Sequence, residues 1–127
     1  MIIEVPVSLG ELVDKITILE LKIEYIEDQD KLTNVKKECK LLTEVLLEHL
    51  EPSKVEGLKA ELKEVNRKLW LIEDDIRDYE RQKDFGEKFI ELARSVYFTN
   101  DKRAELKKDI NLKFGSDIIE EKSYEKY

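Results

Sequence analysis

The stretch Val55-Glu-Gly-Leu-Lys-Ala-Glu-Leu-Lys-Glu-Val-Asn-Arg-Lys-Leu-Trp-Leu-Ile-Glu-Asp-Asp-Ile-Arg-Asp-Tyr79 decides the fold. Val55, Leu58, Leu62, Val65, Leu69, Ile72, Ile76 and Tyr79 recur at alternating steps of three and four, over more than three heptads. That period keeps one stripe of a helix turned toward a partner, whereas a half-buried strand would alternate by two. Pro52 stands just ahead of the stretch and ends whatever precedes it, because proline lacks an amide donor and clashes with the turn before it. Ser53 and Glu56 have the spacing of a capping box, in which each side chain accepts a backbone amide of the first turn. The pattern predicts a helix over 53–83, about 45 Å long at ~1.5 Å per residue.

Toward the N-terminus, Leu32, Val35, Cys39, Leu42 and Leu46 share one helical stripe, with Asp30 placed as an N-cap. A helix over 31–50 follows, and the short turn at Pro52 predicts that it folds back along 53–83 as a long antiparallel hairpin. Ser8 and Glu11 form another capping box, opening a helix over 9–27. Leu9, Leu12, Ile16, Leu19, Ile23 and Ile26 line one side of it, and Ile18, Leu21 and Tyr25 the other, so this helix should have neighbours on two faces. Residues 2–7 alternate loosely around Ile3, Val5 and Val7 and read as a short edge strand, with Pro6 excluding a central position.

Toward the C-terminus, Asp84 and Glu87 repeat the box spacing, and Phe89, Leu92 and Val96 give a helix over 85–98. Asn100 has the chemistry to cap a fifth helix over 101–114, with Gly115 at the C′ position. Residues 116–127 form a tail that either pairs with the N-terminal strand or stays free. The fold expected is therefore mainly α: an elongated bundle of four to five helices in one domain over 1–127, with a long antiparallel hairpin and a short N-terminal edge strand.

Composition agrees. Ala, Glu, Lys, Leu and Arg supply about half of the 127 residues, 42% are charged, and only 4 Gly and 2 Pro are present. That leaves little material for the many turns of an all-β domain. A hydrophobic share of 41% argues against disorder. The net charge of -7 disfavours a nucleic-acid binder, which needs a basic face, and disfavours anionic lipid surfaces. No apolar run approaches the roughly 18 residues of a membrane span, and Met1 to Val7 has no basic region of the kind a signal peptide carries. The one cysteine suits a reducing compartment, so a cytoplasmic location is expected.

Ser8-Leu-Gly-Glu-Leu-Val-Asp-Lys-Ile-Thr-Ile-Leu-Glu20, Leu69-Trp70 with Ile72-Glu-Asp74, Phe89-Ile-Glu-Leu-Ala-Arg-Ser-Val-Tyr97, Thr99-Asn-Asp-Lys-Arg-Ala104 and Glu121-Lys-Ser-Tyr124 carry a likeness. On these blocks the chain resembles, nearly end to end, a family of small uncharacterised helical proteins of bacteria and phages. The resemblance implies a setting near cell-surface polysaccharide synthesis, and it brings no catalytic residues.

Few residues suggest chemistry. Asp84-Phe-Gly86 matches a kinase metal-binding triplet in letters, but the glycine-rich loop and catalytic loop are missing. Asp74, Asp75 and Asp78 place carboxylates on adjacent turns, where Mg²⁺ is sometimes held; Arg77 and Arg81 offer them ordinary ion pairs instead, and no metal or other cofactor is expected. His49, the one histidine, reads as a partly buried residue near a turn, Cys39 as an apolar seam residue, and Trp70 as core cover or an interface anchor.

The irregularity that matters lies in 89–111. Continuing the helical wheel from Phe89, Val96 points at the core, and so do Asn100, Arg103 and Lys107, flanked by Arg94 and Tyr97. A buried unpaired charge is too costly to tolerate, which leaves three arrangements. The helix breaks at Thr99-Asn100; or the cations pair with Glu11, Asp14 or Glu20; or they line a cleft for an anionic ligand. The leading functional reading is a non-catalytic helical scaffold that self-associates as a homodimer or binds a protein partner. The competing one is a small all-α enzyme or sensor that binds a carboxylated or phosphorylated metabolite at Arg94, Tyr97, Asn100, Arg103 and Lys107. Whether the chain is an enzyme stays open.

Overall fold

A computed structural model describes residues 1–127: four helices and no strand. α1 spans Leu9–Tyr25, α2 Gln29–His49, α3 Pro52–Arg81 and α4 Glu87–Lys113. α1 is the shortest and the most enclosed, because its apolar residues lie on two faces; it packs on α2, α3 and α4. Leu12, Val13 and Ile16 of α1 meet Leu46, Val55, Leu62, Leu106 and Ile110 in one buried cluster. The α3 seam faces inward throughout: Val55, Leu62 and Ile72 are buried, and Leu58, Val65, Leu69, Ile76 and Tyr79 half-buried.

The expected hairpin of the second and third helices does not form. α2 lies against α1, and α3 pairs along α4. Length explains the choice. The 30-residue α3 extends about 45 Å, and the 27-residue α4 matches it better than the 21-residue α2 does. α2 buries only Leu32 and Leu46 and covers the second face of α1.

The fifth helix is also absent, because α4 runs unbroken through Thr99 and Asn100. A cap at Asn100 would need an extended backbone there, which would break the packing of buried Thr99; with no Gly or Pro nearby, the helix continues. Residues 2–7 form no strand, and Ile2 and Ile3 are each 75% exposed. An all-helical bundle has no sheet edge to satisfy their amides, and a lone strand has no stability of its own.

The caps differ in detail. Ser8 Oγ accepts the Glu11 amide at 3.1 Å, but the Glu11 carboxylate turns away to α4. Asp28, not Asp30, caps α2, and α3 opens with Pro52 at its first position and no side-chain cap. Asp84 sits in the turn before α4, where its Oδ1 accepts the Gly86 amide. α4 ends as expected, with Gly115 at φ 68° in the left-handed region that glycine adopts freely. That turn sends residues 116–127 back along α4.

Candidate functional site

The site begins where α1 touches α4. Gly10 lies so close to the Lys107 carbonyl that a Cβ would collide with it. At this crossing the open amides of α1 are taken up by side chains: Leu9 N–H donates to Ser116 Oγ at 3.1 Å, Gly10 N–H to Asn111 Oδ1 at 2.6 Å, and Glu11 N–H to Ser8 Oγ. This helix terminus is closed to an external anion. The Gly10 bond also fixes the orientation of the Asn111 amide and leaves Asn111 Nδ2 buried without an acceptor.

One turn further, the Asp14 carboxylate is buried at 1% exposure. Arg103 of α4 donates to it twice, Nε to Oδ1 at 3.0 Å and Nη2 to Oδ2 at 2.6 Å. Asn66 of α3 adds a bond to Oδ1 at 2.8 Å and one to Thr17 Oγ1 at 2.9 Å. Bonding to Asp14 raises the guanidinium of Arg103 above its ordinary value, against the opposing effect of burial. Lys107 donates to Glu11 at 2.7 Å and to Glu120 at 3.0 Å, and Lys122 closes on Glu120 at 2.9 Å. Burial pulls the Lys107 ammonium down, and the bonds to Glu11 and Glu120 outweigh it and raise it. Hydrogen bonds from Lys122 and then Lys107 hold the Glu120 carboxyl down at about 2.

Residues 116–127 are tied to the outer face of α4. Lys108 pairs with Glu121 at 3.0 Å, and Tyr127 donates its hydroxyl to Asp101. The Tyr127 ring rests edge-on against Tyr97 and Phe98, centroids 5.3 and 4.8 Å away. Between segment and helix lies an open cleft of about 970 Å³. Tyr97, Asn100, Arg103 and Lys107 line it from α4, and Lys122, Tyr124, Lys126 and Tyr127 from the segment. A smaller pocket of about 170 Å³ adjoins it across Lys107 and includes Asn111, Glu120 and Lys122.

Residues 3–127 match a family of unknown function, DUF6165. The chain belongs to that family. No curated protein and no solved structure matches it. The DUF6165 match spans the whole site and brings no residue roles with it.

The remaining sequence candidates of this DUF6165 chain fall elsewhere. Arg94 is exposed and does not line the cleft. Glu20 pairs with Lys59 at 2.8 Å and Lys63 at 3.3 Å of α3, not with α4. Asp74 and Asp75 are exposed, Asp78 faces Arg81, and no three Asp, Glu, His or Cys residues converge where a metal could sit. His49 is exposed rather than partly buried, since α2 covers so little; Cys39 is half-buried. Trp70 stacks on Tyr25 at 5.4 Å, sealing the end of α1 against α3.

Sequence reasoning missed Gly10, Asn66, Asn111, Ser116, Glu120, Lys122, Tyr124, Lys126 and Tyr127. Two signals were present. Asn66 follows Val65 and Asn111 follows Ile110, each an uncharged amide beside an apolar seam residue. Gly10 stands in the first turn of a helix, where only a close approach favours it.

Proposed function

We propose that this chain is a binding protein for a small anionic metabolite, held in the cleft between α4 and residues 116–127. The observation that carries the reading is convergence: Tyr97, Asn100, Arg103 and Lys107 face one cleft together with Lys122 and Lys126. Of the four cations in that lining, Arg103, Lys107 and Lys122 already pair with Asp14, Glu11 and Glu120, whereas Lys126 makes no ion pair; the acids of the lining itself are Asp101 and Glu125. A cleft focuses the field of an unpaired cation on its wall and so favours an anion there. Asp14 engages Nε and Nη2 of Arg103, and the remaining Nη1 makes no bond within the chain. It is a free planar donor suited to a carboxylate or phosphate. Tyr97, Tyr124 and Tyr127 supply apolar walls for the body of a ligand.

The test is a thermal-shift screen of phosphorylated and carboxylated metabolites against wild type, Tyr97→Ala and Lys126→Glu. A ligand at ~100 times its Kd stabilises the native state by about 2.7 kcal/mol, enough to move Tm by several degrees. Such a shift, reduced in both variants, supports the reading. A screen that leaves the wild-type Tm unmoved, or a shift both variants keep in full, overturns it.

A second reading, self-association as a homodimer, draws on a different observation. The chain exposes 9199 Å², against roughly 7,100 Å² for a compact monomer of its mass. The excess is more than the ~800 Å² per partner that a standard interface covers. Leu41, Val45 and Leu47 stand exposed on α2. Sedimentation that finds only monomer at high micromolar concentration would sink this reading and leave the first intact.

A further inference from the structure

Glu120 occupies a telling position. One of its oxygens lies 3.0 Å from Lys107 Nζ and the other 2.9 Å from Lys122 Nζ, so a single carboxylate bridges two cations where the cleft meets the smaller pocket. It satisfies both lysines and leaves a third donor unserved. Asn111 Nδ2, whose residue is 1% exposed and lines the same pocket, has no acceptor, and the Gly10 bond to Oδ1 prevents the amide from flipping to find one. A buried donor without an acceptor carries its full desolvation penalty. An anion with more oxygens than a carboxylate has one to offer Asn111 once Glu120 leaves the pocket.

Resting on the cleft as a ligand site, we propose that Lys107, Asn111 and Lys122 form a phosphate subsite that Glu120 caps, and that a phosphate group displaces Glu120 and frees residues 116–127 from α4. Displacement runs through the segment because the two carboxylates on Lys107 are held differently. Glu11 belongs to the packed helix α1, and Glu120 to a segment without regular structure. Beyond Ser116, whose amide donates to the Asn111 carbonyl at the turn, the other ties of the segment to α4 are the exposed pairs Lys108–Glu121 and Tyr127–Asp101 and the edge-on packing of Tyr127 on the exposed rings of Tyr97 and Phe98, each of about 1 kcal/mol or less. Charge selects the ligand. A tethered carboxylate competes at an effective concentration on the order of millimolar, so a free monocarboxylate of equal charge does not displace it below that concentration. A dianionic phosphate offers twice the charge and a further oxygen for Asn111.

The test uses the full chain and inorganic phosphate, with acetate at equal concentration as comparator. NMR follows the Asn111 side-chain amide and the backbone heteronuclear NOE of residues 118–126. Phosphate is expected to shift the Asn111 amide and lower the NOE of the segment, with acetate doing neither. Glu120→Gln, checked for an unchanged fold by circular dichroism, should bind phosphate about tenfold tighter and show a lowered NOE without ligand; Lys122→Gln should bind it about tenfold more weakly. Phosphate that leaves Asn111 unshifted in both wild type and Glu120→Gln overturns the subsite, while a metabolite hit in the thermal screen would still uphold the cleft. Equal phosphate affinity of wild type and Glu120→Gln overturns the cap. Acetate acting as phosphate does overturns the selectivity.

Discussion

Arg103 on α4 grips Asp14 on α1 through two parallel hydrogen bonds, although Asp14 is almost wholly buried and Arg103 is 29% exposed. Asn66 of α3 binds the same carboxylate oxygen, so one buried charge ties three helices together. The pair faces two ways: Asp14 belongs to the core, and the outer edge of Arg103 to the cleft.

Removing the cation should therefore be felt as a stability loss before any loss of binding. Arg103→Ala leaves Asp14 with only neutral donors, and the expected cost is about 3 kcal/mol, the low end for a broken buried pair because Arg103 is partly solvated. Urea unfolding followed by the fluorescence of Trp70 measures it. A loss below about 1 kcal/mol would mean that Asp14 reaches water.

Two glycines of the same composition should behave oppositely. Gly10→Ala puts a methyl group against the Lys107 carbonyl and separates α1 from α4, at an expected cost of about 2–3 kcal/mol. Gly57, inside α3, has open space around it, and Gly57→Ala should stabilise the chain by about 0.5–1 kcal/mol. Thermal melts of the two variants side by side check both signs.

Docking of residues 116–127 should depend on acid. Glu120 titrates at about 2 in the folded chain against an ordinary 4.5, so its contribution is complete above pH 4.5 and is lost as pH falls from 4.5 toward 2. Lys107 is raised above its ordinary 10.5, so its contribution is complete below that value and is lost as pH climbs through the higher folded one. Ring resonances of Tyr127 should report release on the acid side. Glu120→Gln should abolish that step, and an acid transition surviving in the variant would assign it to another group.

The stack of Tyr25 on Trp70 gives a local probe. Tyr25→Ala should cost about 1 kcal/mol beyond its lost area and shift the Trp70 emission to the red. Tyr25→Phe removes only the exposed 3.0 Å bond from Arg67 and should change stability by less than about 0.5 kcal/mol. Equal losses in the two variants would put the weight on the hydroxyl instead of the ring.

How far the sequence reached is clearest at Lys107. Its phase on the helical wheel marks it as a cation aimed at the core, and Glu11 and Asp14 stand among the acids expected to pair with such cations. Glu20, offered on the same grounds, goes to α3, because nothing local distinguishes one acid from another among the 30 in the chain. Glu120 was invisible, since its approach depends on the turn at Gly115 and on how far residues 116–127 return along α4.

The sequence by itself determined the first three helices and where the last one ends. The α3 seam, Pro52, the cap at Ser8 and the turn at Gly115 act within a few residues of themselves, and hydrogen bonds one turn apart need no distant partner. Tertiary structure alone decided that α3 pairs with α4, that α4 runs through Asn100, and that no strand forms at residues 2–7. It also brought Gly10 to Asn111 and Glu11 to Lys107, contacts that span 101 and 96 residues. Such contacts follow from which surfaces fill one another, and no local period records them.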